Sequence, residues 1–391
     1  MLRAKTTAAA ALSSVVLVLA ACSGSPSPSP TPESTPVPTP DIAEGFVALL
    51  SSPGFEAESD VTGTLTLDSK SVTVRGTIDG EYRFSSGDYA SSLTITIGDV
   101  TQQQEQISVG GEQFSRSDDG PYVLGEAPSG QAGQNESLTE VLAGLQTLAD
   151  AGEVAHFGRT VHELEPSDPI ELGAEALGMT DPTISDVSAT RAFFVEADGT
   201  PAGFSIDMTW TQEPQPGTVL DAQMIMDVEF TDLEGPVVIE RPDPVWLSFT
   251  SEEWGYSVAH PEGWTVDQSD PGADAFLPSD GSGYAAVAHV EVLPELQSQG
   301  AFEADSQAVF ASQGATAITS TRYAFASGTE DGLLTIYNFP SDNGDLLIFN
   351  IAVYHAGIGF DIQAGALNEE GAVDALAGLV DQMMLTFTFT Q

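Results

Sequence analysis

Cysteine occurs once in 391 residues, at Cys22, and the 10 basic residues face 58 acidic ones. Each scarcity excludes something. A single thiol cannot close an intrachain disulfide or build a thiolate zinc cluster, so stability has to come from burial. Arg3 and Lys5 stand at the start of the chain, and beyond them only 8 basic residues remain against the 58 acidic ones. Such a field repels phosphate backbones, and counterion-release binding needs clustered Lys and Arg, so nucleic acid is excluded as a partner. Anionic headgroups are repelled likewise, which rules out membrane contact through a basic patch. Lys70 is the only lysine after Lys5, so a phosphate loop ending in Gly-Lys is missing, and no G-x-S-x-G elbow occurs. Long apolar runs are also scarce. The run from Ala8 to Ala21 has fourteen residues, shorter than the roughly 20 that span a bilayer as a helix.

What is present begins with that run. Two positive charges followed by an uncharged apolar stretch follow the plan of a secretory signal peptide, here residues 1–21. The stretch ends in Leu19-Ala20-Ala21-Cys22, which resembles the lipobox of bacterial lipoproteins. The resemblance implies cleavage after Ala21 and a diacylglyceryl thioether on Cys22, and a thiolate is the best nucleophile for that alkylation. Two acyl chains anchor stably where one is marginal. The expected location is the extracytoplasmic face of the cell membrane, with membrane contact through the lipid. Residues 22–40 form a linker: from Ser25 to Pro40 seven of sixteen residues are proline, a composition that favours extended polyproline II.

Two folded regions are expected, 41–244 and 245–391, because some 350 residues exceed one core. The first opens with a capped helix from Asp41, with Ile42, Phe46, Leu49 and Leu50 on one stripe and Pro53-Gly54 as its stop. The period then changes to two. Val61, Leu65 and Leu67, then Val72, Val74 and Ile78 across a turn at Asp68-Ser69, then Leu93, Ile95 and Ile97 read as half-buried antiparallel strands. Ser137 and Glu140 frame a second capped helix ending at Gly152. A hairpin follows around Asp198-Gly199, then a strand alternating Leu220, Ala222, Met224, Met226, Val228 and Phe230. Prolines at 236, 242 and 244 mark a boundary. The second region reads as strands around Tyr256–Val258 and "YAAVAHVEVL", a helix near Ala301–Ser312, a hairpin about Asn343-Gly344, and a final helix from Ala372 to Met384 before "LTFTF".

The order over residues 42–242, with its lipobox, Pro-rich tether, leading helix, "GGEQFSRSDDGPYVL" hairpin and terminal "DLEGPVVIERP", resembles LolA-like lipoproteins of the LppX and LprG kind. That resemblance implies a curved antiparallel half-barrel with helices enclosing an apolar cavity for acyl chains. Residues 246–391, where the strand "WGYSVAHP" runs into Pro261-x-x-Trp264, resemble PsbP-like domains of the Mog1/PsbP fold, implying an antiparallel sheet flanked by helices. The expected fold class is therefore α+β in two domains.

Few residues suggest chemistry. His156 and His162 lie six apart, which on one strand separates them by about 20 Å, too far for one ion. His260 beside Pro261 reads as a turn residue, and His289 and His355 fall in strand-like runs without ligand spacing. Gly357-Ile358-Gly359 offers two of three dinucleotide-fingerprint glycines, and Ser341–Asp345 is better explained as a turn than as a calcium loop. No enzyme activity, metal or cofactor is expected. The remaining candidate is an apolar sheet face of Leu65, Leu67, Leu93, Ile95, Ile97, Met208, Trp210, Met224 and Met226. Methionine walls adapt to irregular ligands, so the face suits a lipid or other apolar molecule; the same positions serve equally as core beneath two helices. The other reading is an interaction or assembly lipoprotein with two binding modules and no ligand cavity. Nothing in the sequence names a protein partner.

Overall fold

The structure, a computed structural model, describes residues 54–67, 70–83, 86–125, 148–166, 183–215, 217–233, 235, 237–325, 331–341 and 344–390. The signal segment, Cys22, the linker, the helix expected from Asp41, the Asp68-Ser69 turn and residues 137–147 of the second expected helix lie outside them. Two units form: one holds the described residues up to Asp118 and Gly125–Pro242, the other Asp119–Leu124 and the described residues from Asp243.

In the first unit β1 (Phe55–Leu67) and β2 (Lys70–Arg83) make a long antiparallel ladder from Phe55↔Tyr82 to Leu67↔Lys70. β3 (Asp88–Ile97), β4 (Val100–Val109) and β5 (Glu112–Ser117) continue it as a meander. β6 (Tyr122–Gly125) follows, and its residues Tyr122–Leu124 belong to the second unit. β7 (Leu148–His156) and β8 (Arg159–Pro166) form a hairpin, and β9 (Ile184–Val195), β10 (Pro201–Gln215) and β11 (Thr218–Asp232) follow. The spatial order is β5-β4-β3-β2-β1-β11-β10-β9-β8-β7, so β11 returns to pair with β1.

Strict alternation drives these strands. On β11 every second residue from Leu220 to Phe230 is buried, while Asp221, Gln223, Asp227 and Glu229 face outward. Two-residue turns with left-handed backbone reverse the chain at Gly110-Gly111 and Phe157-Gly158, as twisted hairpins require. The Asp198-Gly199 turn is closed by Glu196 N donating to Thr200 O at 2.9 Å, and Asp198 Oδ1 accepts from Thr200 N at 3.0 Å.

In the second unit β12 (Val245–Ser251) pairs antiparallel with β13 (Tyr256–Pro261) and parallel with β6. A separate seven-stranded sheet contains β14 (Thr265–Asp270), β15 (Ala273–Leu277), β16 (Gly283–Glu291), β17 (Thr316–Ala324), β18 (Asp331–Phe339), β19 (Leu346–His355) and β20 (Ile358–Leu367). Its order is β14-β15-β16-β20-β19-β18-β17. α1 (Gln299–Ser312) is capped by Ser298, whose Oγ accepts from Ala301 N at 3.4 Å. α2 (Ala372–Thr386) buries Leu376, Val380, Met383 and Met384 against Ile351, Val353, Phe360 and Ile362. α1 packs on the opposite face, where Phe302 meets Ala352 and Phe310 stacks on Tyr337 at 4.4 Å. The short strand β21 (Thr388–Phe389) then pairs with β13.

The helix-flanked α+β expectation is overturned. Strands hold 66% of the described residues and helices 11%, with two α-helices, both in the second unit. One reason is visible at Leu148. The apolar stripe that reads as a helix up to Gly152 gives way at Leu148 to β7, which pairs with β8 from Leu148↔Pro166 and absorbs Ala151 as a bulge. Long-range pairing overrides local helical period there.

Candidate functional site

The apolar face of the first unit is built row by row across the ladder. Trp210 pairs with Ala222 and Ala222 with Leu65; Met208 pairs with Met224 and Met224 with Gly63; Ile206 pairs with Met226 and Met226 with Val61. Across β2, Val74 pairs with Ile97, Gly76 with Ile95 and Ile78 with Leu93. Leu65, Leu93, Ile95, Ile97, Met208, Trp210, Met224 and Met226 are all buried in one cluster, and Leu67 is half-buried against it. Glycine lets strands approach closely here. A Cβ on Gly63 falls 2.5 Å from Gln223 O, and one on Gly76 falls 2.8 Å from Thr94 O.

The two ends of this face differ. One end is aromatic: Phe55 stacks on Tyr82 at 5.1 Å and meets Phe230 edge-on at 5.4 Å. At the other, Gln212 is buried and its Nε2 donates to Thr183 Oγ1 at 3.3 Å. Trp210 adjoins it, beside a register break in the β9–β10 ladder where Asp186 has left-handed backbone. Bulges of this kind re-aim side chains. Arg191, also buried, lies with its guanidinium 5.7 Å from the Phe193 ring, and burial lowers its pKa.

The outer face of the same strands is acidic. Glu58 stands opposite both Asp79 and Glu229, and Asp60 opposite Asp227; such like-charge neighbours repel. With Thr77 and the Phe157 ring they line a pocket of about 90 Å³. The β7–β8 turn supplies the partners of these carboxylates. His156 Nε2 lies 3.3 Å from Asp227 Oδ1, and Arg159 reaches Glu229 at 3.2 Å and Glu196 at 3.0 Å. His156 also stacks on Phe194 at 4.1 Å.

His156 and His162 therefore occupy two paired strands of a hairpin, not a single strand, and each has its own carboxylate; His162 Nδ1 is 3.2 Å from Asp150 Oδ2. No group of three or more His, Cys, Asp or Glu among the described residues has metal-binding geometry. His260 is buried at the end of β13 instead of standing in a turn, and His355 stacks on Phe389 at 4.0 Å.

One constellation in the second unit escapes sequence reading. Asp274 on β15 accepts from the Tyr256 hydroxyl of β13 and from Gln268 Nε2 at 2.8 Å, and His289 Nε2 of β16 lies 3.5 Å from it. Trp254 stacks on the imidazole at 4.0 Å. Burial pushes the Tyr256 phenol up, reinforced by Asp274, and pushes His289 down against the pull of Asp274. A protonated phenol and a neutral imidazole thus surround one carboxylate. The His289 and Asp274 side chains are 2% and 5% exposed.

No family profile matches the chain, and no curated protein matches it in sequence. Several solved structures are similar in fold. Cyanobacterial PsbP (CyanoP) from Synechocystis sp. PCC 6803 is 16% identical, covering 40% of this chain and 99% of that one, with a TM-score of 0.29. The Ran-binding protein Mog1p of Saccharomyces cerevisiae is 10% identical over 38% of this chain and 97% of its own, with a TM-score of 0.30. A putative outer membrane lipoprotein-sorting protein domain from Vibrio parahaemolyticus is 9% identical over 49% and 91%, with a TM-score of 0.19.

Proposed function

We propose that this chain is a non-enzymatic lipoprotein, anchored through Cys22 at the extracytoplasmic face of the cell membrane, whose first unit reversibly captures a lipid or other apolar molecule. The observation that carries the reading is the buried face on which Met208, Met224 and Met226 stand beside Trp210 in consecutive rows. Three flexible thioethers in one wall tolerate variable hydrocarbon shapes, and removal of acyl chains from water supplies the driving force. Among the described residues of the first unit no Asp, Glu or His is buried, which favours binding over acid–base chemistry. The anchor reading rests on Leu19-Ala20-Ala21-Cys22; no helix among the described residues is long and apolar enough to cross a membrane.

A transfer assay tests the carrier. Fluorescent phospholipid moving from donor to acceptor vesicles should accelerate with the amount of full chain added. A rate that stays at the protein-free value rejects carriage and leaves the assembly reading. Labelled palmitate should enter the wild type and not Cys22→Ser; equal or absent label in both rejects the anchor.

A further inference from the structure

Resting on the carrier reading, the chemistry of Trp210 narrows the ligand class. Trp210 is 3% exposed, and its Nε1 is buried without a hydrogen-bond partner. An indole N–H is a donor with no acceptor capacity, and leaving such a group unmade in an apolar setting is costly. On other described strands of this unit, Ser59 Oγ and Gln106 Oε1 also lack hydrogen-bond partners. A hydroxyl both donates and accepts, so Ser59 does not define a ligand's polarity. Gln106 lies on β4, five strands from β10 in the sheet order, and cannot serve Trp210. Arg191 is a second donor-only group on β9, yet it has interactions of its own, so the assignment rests on Trp210.

The surroundings give the direction. Trp210 sits two residues from the buried Gln212, and its row runs on through Ala222 and Leu65. From Leu65 the face runs ten residues down β1 to Phe55 and the aromatic group with Tyr82 and Phe230. At about 3.3 Å per residue that is roughly 33 Å of apolar strand surface. We infer that the ligand is an amphiphile bearing a hydrogen-bond acceptor, such as an acyl ester carbonyl, which takes the Trp210 N–H while its hydrocarbon chain extends toward Phe55, Tyr82 and Phe230. Pure hydrocarbon leaves the indole unpaired and is the poorer ligand.

The indole proton reports this directly. In ¹⁵N-labelled full chain, the indole cross-peak of Trp210 is identified by its loss in Trp210→Phe; the chain has four tryptophans. Methyl palmitate and heptadecane, matched in length and delivered in the same detergent, are the probes. Methyl palmitate should move the peak downfield and heptadecane should not. Trp210→Phe should weaken methyl palmitate binding about three- to tenfold, the size of one net hydrogen bond, and leave heptadecane binding unchanged. If both probes bind and the indole peak responds equally to each, the acceptor assignment is overturned while the carrier stands. If neither binds, the carrier reading fails and takes this inference with it. If Trp210→Phe does not fold, the Trp210 peak is identified by elimination with Trp246→Phe, Trp254→Phe and Trp264→Phe, and its wild-type shift decides.

Discussion

Met208 and Met224 stand directly opposite each other on β10 and β11, both wholly buried, and Met224 faces Gly63 on its other side. A long flexible side chain over a glycine fills space that a branched residue on both strands would overfill. The centre of the sheet is thus packed by shape-tolerant groups.

Met224→Ala should therefore destabilise the first unit by about 2–5 kcal/mol, the range for truncating a buried methionine, and Met224→Leu by less than about 1.5 kcal/mol. Urea denaturation followed by tryptophan fluorescence checks both. Equal, small effects would mean the methionine is not packed as described.

Gly63→Ala should be more harmful than its one added methyl suggests. The new Cβ meets Gln223 O and the Met224 Cα at 2.5 and 3.2 Å, both backbone atoms that cannot swing aside. A loss of about 1–3 kcal/mol is expected from such overpacking. Thr62→Ala on the neighbouring position is the control, and a Gly63→Ala loss no larger than the control's contradicts the close strand approach.

Much of the first sheet was legible because its strands obey a period of two. Leu220 to Phe230 and the turn at Asp198-Gly199 follow from alternation and turn chemistry alone. The partition of β6 into the second unit was not, since Tyr122↔Val245 joins residues far apart in sequence and no local pattern encodes a partner. The Tyr256–Asp274–His289 cluster was hidden for the same reason: its members lie on three strands, and each alone reads as an ordinary strand residue. Sequence spacing also misplaced His156 and His162, because it could not show that a two-residue turn folds them onto facing strands.

The buried histidines make the second unit acid-sensitive. His289 and His260 are both held below the ordinary histidine value, chiefly by burial, so the unfolded chain takes up their protons first as pH falls. Stability from this source is complete above about pH 6.5, the unfolded value, and declines as pH drops through it toward the lower folded value. Urea midpoints at pH 7, 6 and 5 should fall, and the fall should be shallower in His289→Gln. Parallel slopes for parent and variant would contradict a buried neutral imidazole.

Asp361 works in the opposite sense. It sits beneath α1, accepting from Ser306 Oγ at 2.6 Å and Asn350 Nδ2 at 2.8 Å, and burial raises its carboxyl pKa in spite of those donors. Its contribution to stability is full below the unfolded carboxyl value and is lost as pH rises through the raised folded one. Asp361→Asn should thus raise stability at pH 7 relative to pH 4 and so widen the loss on acidification, read by thermal unfolding at the two pH values. An unchanged loss would show the carboxylate to be as well solvated folded as unfolded.

The central claim, that the inner face of the first unit holds an apolar ligand, is tested most directly by native mass spectrometry of the full chain purified from cells. The account predicts a species heavier than the lipidated polypeptide by one acyl-bearing molecule, released on denaturation and exchangeable for added lipid. A single species at the polypeptide's own mass, with no uptake when lipid is supplied, would contradict it and identify the face as filled core.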